Sequence, residues 1–194
     1  MNRKRLKEIE GVALEILSNA NVVEAPVDVI KLIEDFFPIK LEEVDLGVDI
    51  SGVYMTNGES HKIGYSIRNS RQRQRFTIAH ELGHHVLKHI RKGAFVDTQQ
   101  KFFTSLYRDS NSSTGEIQQE REANTFAATL LMPETLLKQE IESIMNDSNF
   151  FKLTSTTHND EDLNENDLIK LLSKKFDVST QAMGLRLTNL DLVW

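Results

Sequence analysis

The chain has no cysteine. Disulfides, thiolate metal sites and cysteine nucleophiles are therefore excluded, and a bound metal must be held by His, Asp or Glu. Long apolar runs are also missing. No stretch reaches the length of a transmembrane helix. The opening "MNRKRLKEIEGVALEIL" is broken by Glu8, Glu10 and Glu15, unlike a signal peptide. No membrane association and a cytoplasmic protein are the expectation. A basic surplus is lacking too. Lys and Arg number 23 against 29 Asp and Glu, a net charge of -6, so there is no global footprint for nucleic acid. With 194 residues and 39% hydrophobic residues, the chain can build one domain with a real core and a small appendage.

The order of elements follows from periodicity. Leu6, Ile9, Ala13, Ile16 and Leu17 recur at helical spacing, predicting a helix over 3–19. Pro26 suits the first turn of a second helix, with Val27, Ile30 and Ile33 on one face and Pro38 beyond its end. Short alternating stretches at 39–44, 50–55 and 61–67 predict a small three-stranded antiparallel sheet, with Asn57-Gly58 as a hairpin turn. Ser70 is positioned to cap a helix from about Arg71 to His89. Residues 91–115, with an apolar island at Phe102, Phe103, Leu106 and Tyr107, read as a long loop or lid with one helical turn. Glu116 to Met132 is a strong helix stopped by Pro133. Helices follow at 134–145, 167–176 and 180–190, the last two separated from the rest by a polar, aperiodic segment.

The chemistry concentrates in "FTIAHELGHH", Phe76 to His85. His80, Glu81 and His84 form H-E-x-x-H. At about 100° per residue, His80 and His84 share one helix face a turn apart, so both imidazoles can reach one Zn²⁺. Glu81 sits beside them, where a general base is needed. With six histidines in 194 positions, this pattern arises by chance in roughly one or two such chains per hundred. A third ligand therefore decides. The Gly and His that one large class of such enzymes places further along are Leu87 and Ile90 here, which removes that class. His85 and His89 repeat the four-residue spacing on a different face and read as surface residues or as supports behind the ligands. Arg68, Arg71, Arg73 and Arg75 read as a solvated basic face.

The later helix "GEIQQEREANTFAATLLMP" carries the remaining candidate. With Glu120 at 0°, Ala127 falls at about −20°, Leu131 at about +20° and Asn124 at about +40°. Glu120 thus lies on the apolar stripe, where a carboxylate is costly unless it is paired or coordinated. Arg75 is the alternative partner for it. Glu122 falls on the opposite face with Gln118, Thr125 and Thr129, and reads as polar surface.

"RFTIAHELGHHVLKH", followed some thirty residues later by "EREANTFAATLLMP", resembles the ImmA/IrrE family of zinc metallopeptidases. The similarity runs from about Ser51 to Pro133 and extends, more weakly, to the N-terminal helices and to "LLSKKFDVSTQAMGLRLTNL". The resemblance implies an α+β fold: a mainly helical, zincin-like metallopeptidase domain over 1–145 with the small sheet. The polar segment over 146–166, which the resemblance does not imply, is expected from its composition to join this domain to a C-terminal helical subdomain over 167–194. The resemblance implies one Zn²⁺ per chain held by His80, His84 and Glu120, with Glu81 as base and Asn124 orienting a ligand. His61, Tyr54 and Tyr65 on the hairpin are candidates for stabilising an oxyanion.

The implied function is a zinc-dependent endopeptidase that cuts a regulatory protein, a helix-turn-helix repressor of a phage, mobile-element or stress system. The competing reading is a metal-stabilised, non-proteolytic partner or sensor of a DNA-binding regulator. An intact Glu81 favours the first, because a structural zinc site needs no base. The C-terminal pair of short helices superficially resembles a helix-turn-helix. Lys170, Lys174, Lys175 and Arg186 stand there against Asp167, Asp177 and Asp191, so direct nucleic-acid binding is not expected.

Overall fold

The computed structural model describes residues 2–89, 93–98, 115–146 and 165–192. The apolar island at 102–107 and nearly all of the polar 146–166 segment lie outside these residues. The described chain runs α1 (Arg3–Asn19), α2 (Val29–Phe36), β1 (Ile39–Val44), β2 (Ile50–Thr56), β3 (His61–Ser66), α3 (Arg71–Val86), β4 (Gly93–Thr98), α4 (Gly115–Leu131), α5 (Glu134–Asn146), α6 (Glu165–Phe176) and α7 (Thr180–Asn189). The fold class is the expected one: mainly helical, with a small sheet and C-terminal helices. The chain forms two compact units, one of residues 1–22 and 27–131, the other of 23–26 and 132–194.

In the first unit, α1 buries Ile9, Ala13 and Leu17, one face at four-residue spacing, and packs on α4. Asn2 caps it by accepting from the Arg5 amide at 2.8 Å. Helix α2 begins at Val29, so Pro26 stands ahead of its first turn, and Asp28 caps it by accepting from the Lys31 amide.

The sheet differs from the expectation in two respects. Its strand order is β1-β3-β2-β4, and β1 pairs with β3 in parallel. The β2–β3 hairpin is antiparallel as expected, with Tyr54 opposite Ile63. Alternation of apolar and polar residues is the same in parallel and antiparallel pairs, so the pattern could locate β1 without giving its direction. The second difference is β4, which pairs antiparallel with β2 inside the stretch read as a loop. The hairpin turn is a four-residue loop. Asn57 Oδ1 accepts from the amides of Glu59 and Ser60, and Gly58 takes φ 96°.

Helix α3 lies in the middle of this unit. Every residue from Arg75 to His84 is buried. Its face towards the sheet meets Gly52 on β2, and its other side crosses α4. Both contacts depend on missing side chains. A methyl group at Gly83 would come within 3.1 Å of Phe126 Cδ1 and 3.2 Å of Ala123 Cα. A methyl at Gly52 would collide with Thr77 Cγ2 and lie 3.3 Å from Glu81 Oε1.

The arginine run is a solvated face only in part: Arg68 and Arg71 are exposed, Arg73 is half-buried and Arg75 is buried. Arg75 is buried and donates to the Val27 carbonyl at 2.8 Å, and Arg73 donates to Ser51 Oγ at 2.9 Å. Arg68 forms a two-pronged pair with Asp45, at 2.6 and 2.7 Å.

The second unit is built from α5, α6 and α7. Leu137, Leu172, Phe176, Met183 and Leu187 form its core. Ser179 caps α7, accepting from the Ala182 amide at 3.1 Å. Arg186 is buried and donates to the Met132 carbonyl at 3.1 Å. Lys170 pairs with Asp167 and Lys175 with Glu140.

Candidate metal centre

Two helices bring the ligands together. α3 supplies His80 and His84 from one face, and the close passage at Gly83 and Ala123 brings α4 near enough to add Glu120. All three side chains are buried, and their ligand atoms lie within 4.8 Å of one another. His80 Nε2 is 3.1 Å from His84 Nε2 and 3.2 Å from Glu120 Oε2. Ligand atoms about 2.0–2.1 Å from one tetrahedral ion are about 3.3 Å apart, so the two short separations suit Zn²⁺.

The Glu120 carboxylate supplies an independent test of fit. It is 5% exposed, and neither oxygen meets a hydrogen-bond donor among the described residues. Arg75, the alternative partner, reaches the Val27 carbonyl instead. A buried carboxylate facing two imidazole nitrogens is expensive alone and favourable around a cation. His, His and Glu are also a zinc donor set that leaves a coordination position for water.

Each histidine is held from behind. His80 Nδ1 is 2.8 Å from Asn124 Oδ1. An Nδ1–H donating there turns the Nε2 lone pair towards the cluster. His84 Nδ1 is 3.0 Å from His89 Nδ1. His89 Nε2 is 3.3 Å from Glu122 Oε2, which also accepts from Arg5 Nη2 at 2.6 Å, while Gln118 donates to Glu122 Oε1 at 3.0 Å.

Glu122 therefore does not belong to the polar surface. It is 4% exposed. The helical wheel treated α4 as having one buried face, but α1 covers the other side and brings Arg5 to it. Burial raises the Glu122 pKa, and the hydrogen bonds from Arg5, Gln118 and His89 outweigh it, leaving the carboxyl at about 2. Burial lowers the pKa of His89, against the pull of Glu122.

The position of His89 comes from the end of α3. The helix stops at Val86, three residues earlier than expected. Leu87 caps it and Lys88 takes φ 58°. The His89 amide donates back to the His84 carbonyl at 3.0 Å and the Lys88 amide to that of His85 at 3.1 Å. This paired pattern around a left-handed residue reverses the chain, and it returns His89 to the ring of His84. A wheel drawn through His89 as helix puts it on the wrong side.

Glu81 is fully buried on α3, with Oε1 facing the space left by Gly52. Tyr54 and His61 meet each other and His85. The Tyr54 hydroxyl is 2.8 Å from His61 Nδ1 and 2.9 Å from His85 Nδ1. The His61 and His85 rings lie edge to face at 4.5 Å. Burial and then His61 lower the His85 pKa. Tyr65 lies opposite Gly52 on β3; burial and the carboxylates of Glu43 and Glu34 raise its phenol.

H-E-x-x-H on one buried helix, joined by a glutamate from the helix that crosses it, is a zinc metallopeptidase site of the zincin type. The comparison with known proteins specifies it further. Residues 37–188 match the family described as IrrE N-terminal-like domain, Peptidase_M78, and the chain belongs to it. No curated protein matches the sequence. Among solved structures, a Mycobacterium tuberculosis transcriptional regulator is similar with a TM-score of 0.58 and 17% identity, over 94% of this chain and 46% of that one. The chain thus spans about half the length of that protein, and at this identity the likeness is one of fold. Among the described residues, no helix is long and apolar enough to cross a membrane.

Proposed function

We propose that the protein is a zinc-dependent endopeptidase that hydrolyses a peptide bond in a regulatory protein, a helix-turn-helix transcriptional repressor, in the cytoplasm. The convergence of His80, His84 and Glu120 beside Glu81 carries this reading. His80, His84 and Glu120 would hold Zn²⁺, which would supply an acidified water and a polarised carbonyl. Glu81 accepts the proton of the attacking water and returns it to the departing amine. Asn124 keeps His80 in the tautomer that a ligand needs. Tyr54 and His61, in contact with α3 through His85, are candidate donors to the developing oxyanion.

The substrate class follows from the family resemblance. The net charge of -6 supports a protein rather than DNA as partner. The direct test is to incubate the zinc-loaded protein with the repressor encoded beside its gene and to sequence the products. Discrete fragments that vanish on chelation are expected. A stable complex with an uncut repressor would favour the metal-stabilised sensor instead.

A further inference from the structure

We infer that His89 and Glu122, with Arg5, are positioning residues for the metal ligand His84, acting as a buried relay that fixes which ring nitrogen of His84 faces the cation. The inference rests on the reading of His84 as a ligand. The geometry runs in one line. His84 Nε2 faces His80 Nε2 at 3.1 Å, so its Nδ1 must carry the proton if Nε2 is to bind a cation. That Nδ1 meets His89 Nδ1 at 3.0 Å, which can accept only if His89 holds its own proton on Nε2. His89 Nε2 in turn meets Glu122 Oε2 at 3.3 Å, the oxygen that also accepts from the Arg5 guanidinium at 2.6 Å. Each contact thus dictates the tautomer of the next ring, and the acceptor oxygen at the end, held by Arg5, sets the direction of the whole line.

Two further observations show that the line is built. The His89 and Glu122 side chains are each 5% exposed, so water does not compete for their hydrogen bonds. The chain also enters the left-handed region at Lys88, φ 58°, to bring His89 back. Such a turn costs a non-glycine residue conformational energy, and here it carries an imidazole to a ligand's outer nitrogen. Arg5 balances the buried charge from α1 at 2.6 Å, while its own side chain is 36% exposed.

The test reads tautomers and zinc affinity, not cleavage. Long-range nitrogen–proton NMR of the histidine rings in the zinc-free wild type should show His84 protonated on Nδ1 and His89 on Nε2. His89 protonated on Nδ1 would overturn the inference, with no variant involved. In competition with a chromophoric chelator, His89→Ala should bind zinc about 10–100-fold more weakly, the usual loss when a group orienting a ligand is removed. Glu122→Gln should show a smaller loss, with the His84 ring populating both tautomers. A zinc affinity within threefold of wild type in His89→Ala, with unchanged circular dichroism, would also overturn it. A wild type that binds no zinc would instead sink the metal reading, while the ring tautomers would still decide the relay.

Discussion

Glu120 and Glu122 lie two residues apart on one helix, and each meets a different histidine. Glu120 Oε2 is 3.2 Å from His80 Nε2, and Glu122 Oε2 is 3.3 Å from His89 Nε2. Both are buried, but among the described residues only Glu122 has an arginine. The carboxylate without an arginine belongs with the cation and the one with it stands behind. Glu120→Ala should therefore lose zinc at stoichiometric loading, whereas Glu122→Gln should still load when zinc is in excess. Elemental analysis of the two purified variants checks this, and the reverse order would exchange their roles.

Glu81→Gln should keep zinc and the fold but lose cleavage by about 10²–10⁴-fold, the usual contribution of a positioned base. The amide has nearly the same shape and cannot take up the proton of water. Metal content, melting temperature and repressor cleavage measured on one preparation decide it. Normal turnover would remove the general-base role.

Gly52 and Thr77 should behave as a coupled pair. A methyl at residue 52 meets Thr77 Cγ2 and approaches Glu81 Oε1. Gly52→Ala should therefore lower cleavage more than zinc affinity, and cost about 1–3 kcal/mol of stability through overpacking. Thr77→Ser removes the methyl that is struck and should restore part of both losses. Additive losses in the double variant would mean that the two residues act separately.

Lys88→Gly should leave zinc binding intact and raise the melting temperature, because glycine takes the left-handed region without the cost borne by lysine. The expected gain is up to about 1 kcal/mol. Lys88→Val, β-branched at φ 58°, should weaken zinc binding by moving His89. Thermal melts and chelator competition test the pair, and a destabilised Lys88→Gly would contradict the account of the turn.

Asp45 provides a check on the electrostatics away from the metal. Hydrogen bonds from Arg68 and then the Gly47 amide lower its pKa from 3.8 to about 2. A carboxyl depressed in the folded state stabilises above its unfolded pKa and loses that contribution as pH falls through the folded one. Wild type should thus melt slightly above Asp45→Asn near neutral pH. The gap should close between about pH 4 and pH 2, and a gap that widens on acidification would contradict the pairing.

Much of the metal centre was legible because it depends on helical periodicity. His80 and His84 share a face by spacing alone, and Glu120 stands out as a charge on an apolar stripe. Helix α1 was read with its observed bounds for the same reason. The parts that could not be read depend on contacts between distant segments. The parallel pairing of β1 with β3 leaves no trace in alternation. Strand β4 is defined by its bonds to β2. Glu122 looked exposed because α1, more than a hundred residues earlier, brings Arg5 over it. His89 was drawn as the last residue of α3, three residues past its true end at Val86, because no glycine stands at the turn itself. A lysine in the left-handed region is a weak signal, although a histidine five residues after the second ligand was a hint.

The distance along the chain between Arg5 and Glu122, 117 residues, also has a meaning in time. During synthesis the H-E-x-x-H helix emerges well before α4, since Asn124 follows His80 by 44 residues. Until then the nascent chain carries the base and two ligands without the third, and His84 has no carboxylate behind its relay. A chain interrupted in that interval holds the most recognisable part of a protease and none of its assembled centre. The assembled cluster thus arrives late in translation, once α4 has followed α3 out of the ribosome.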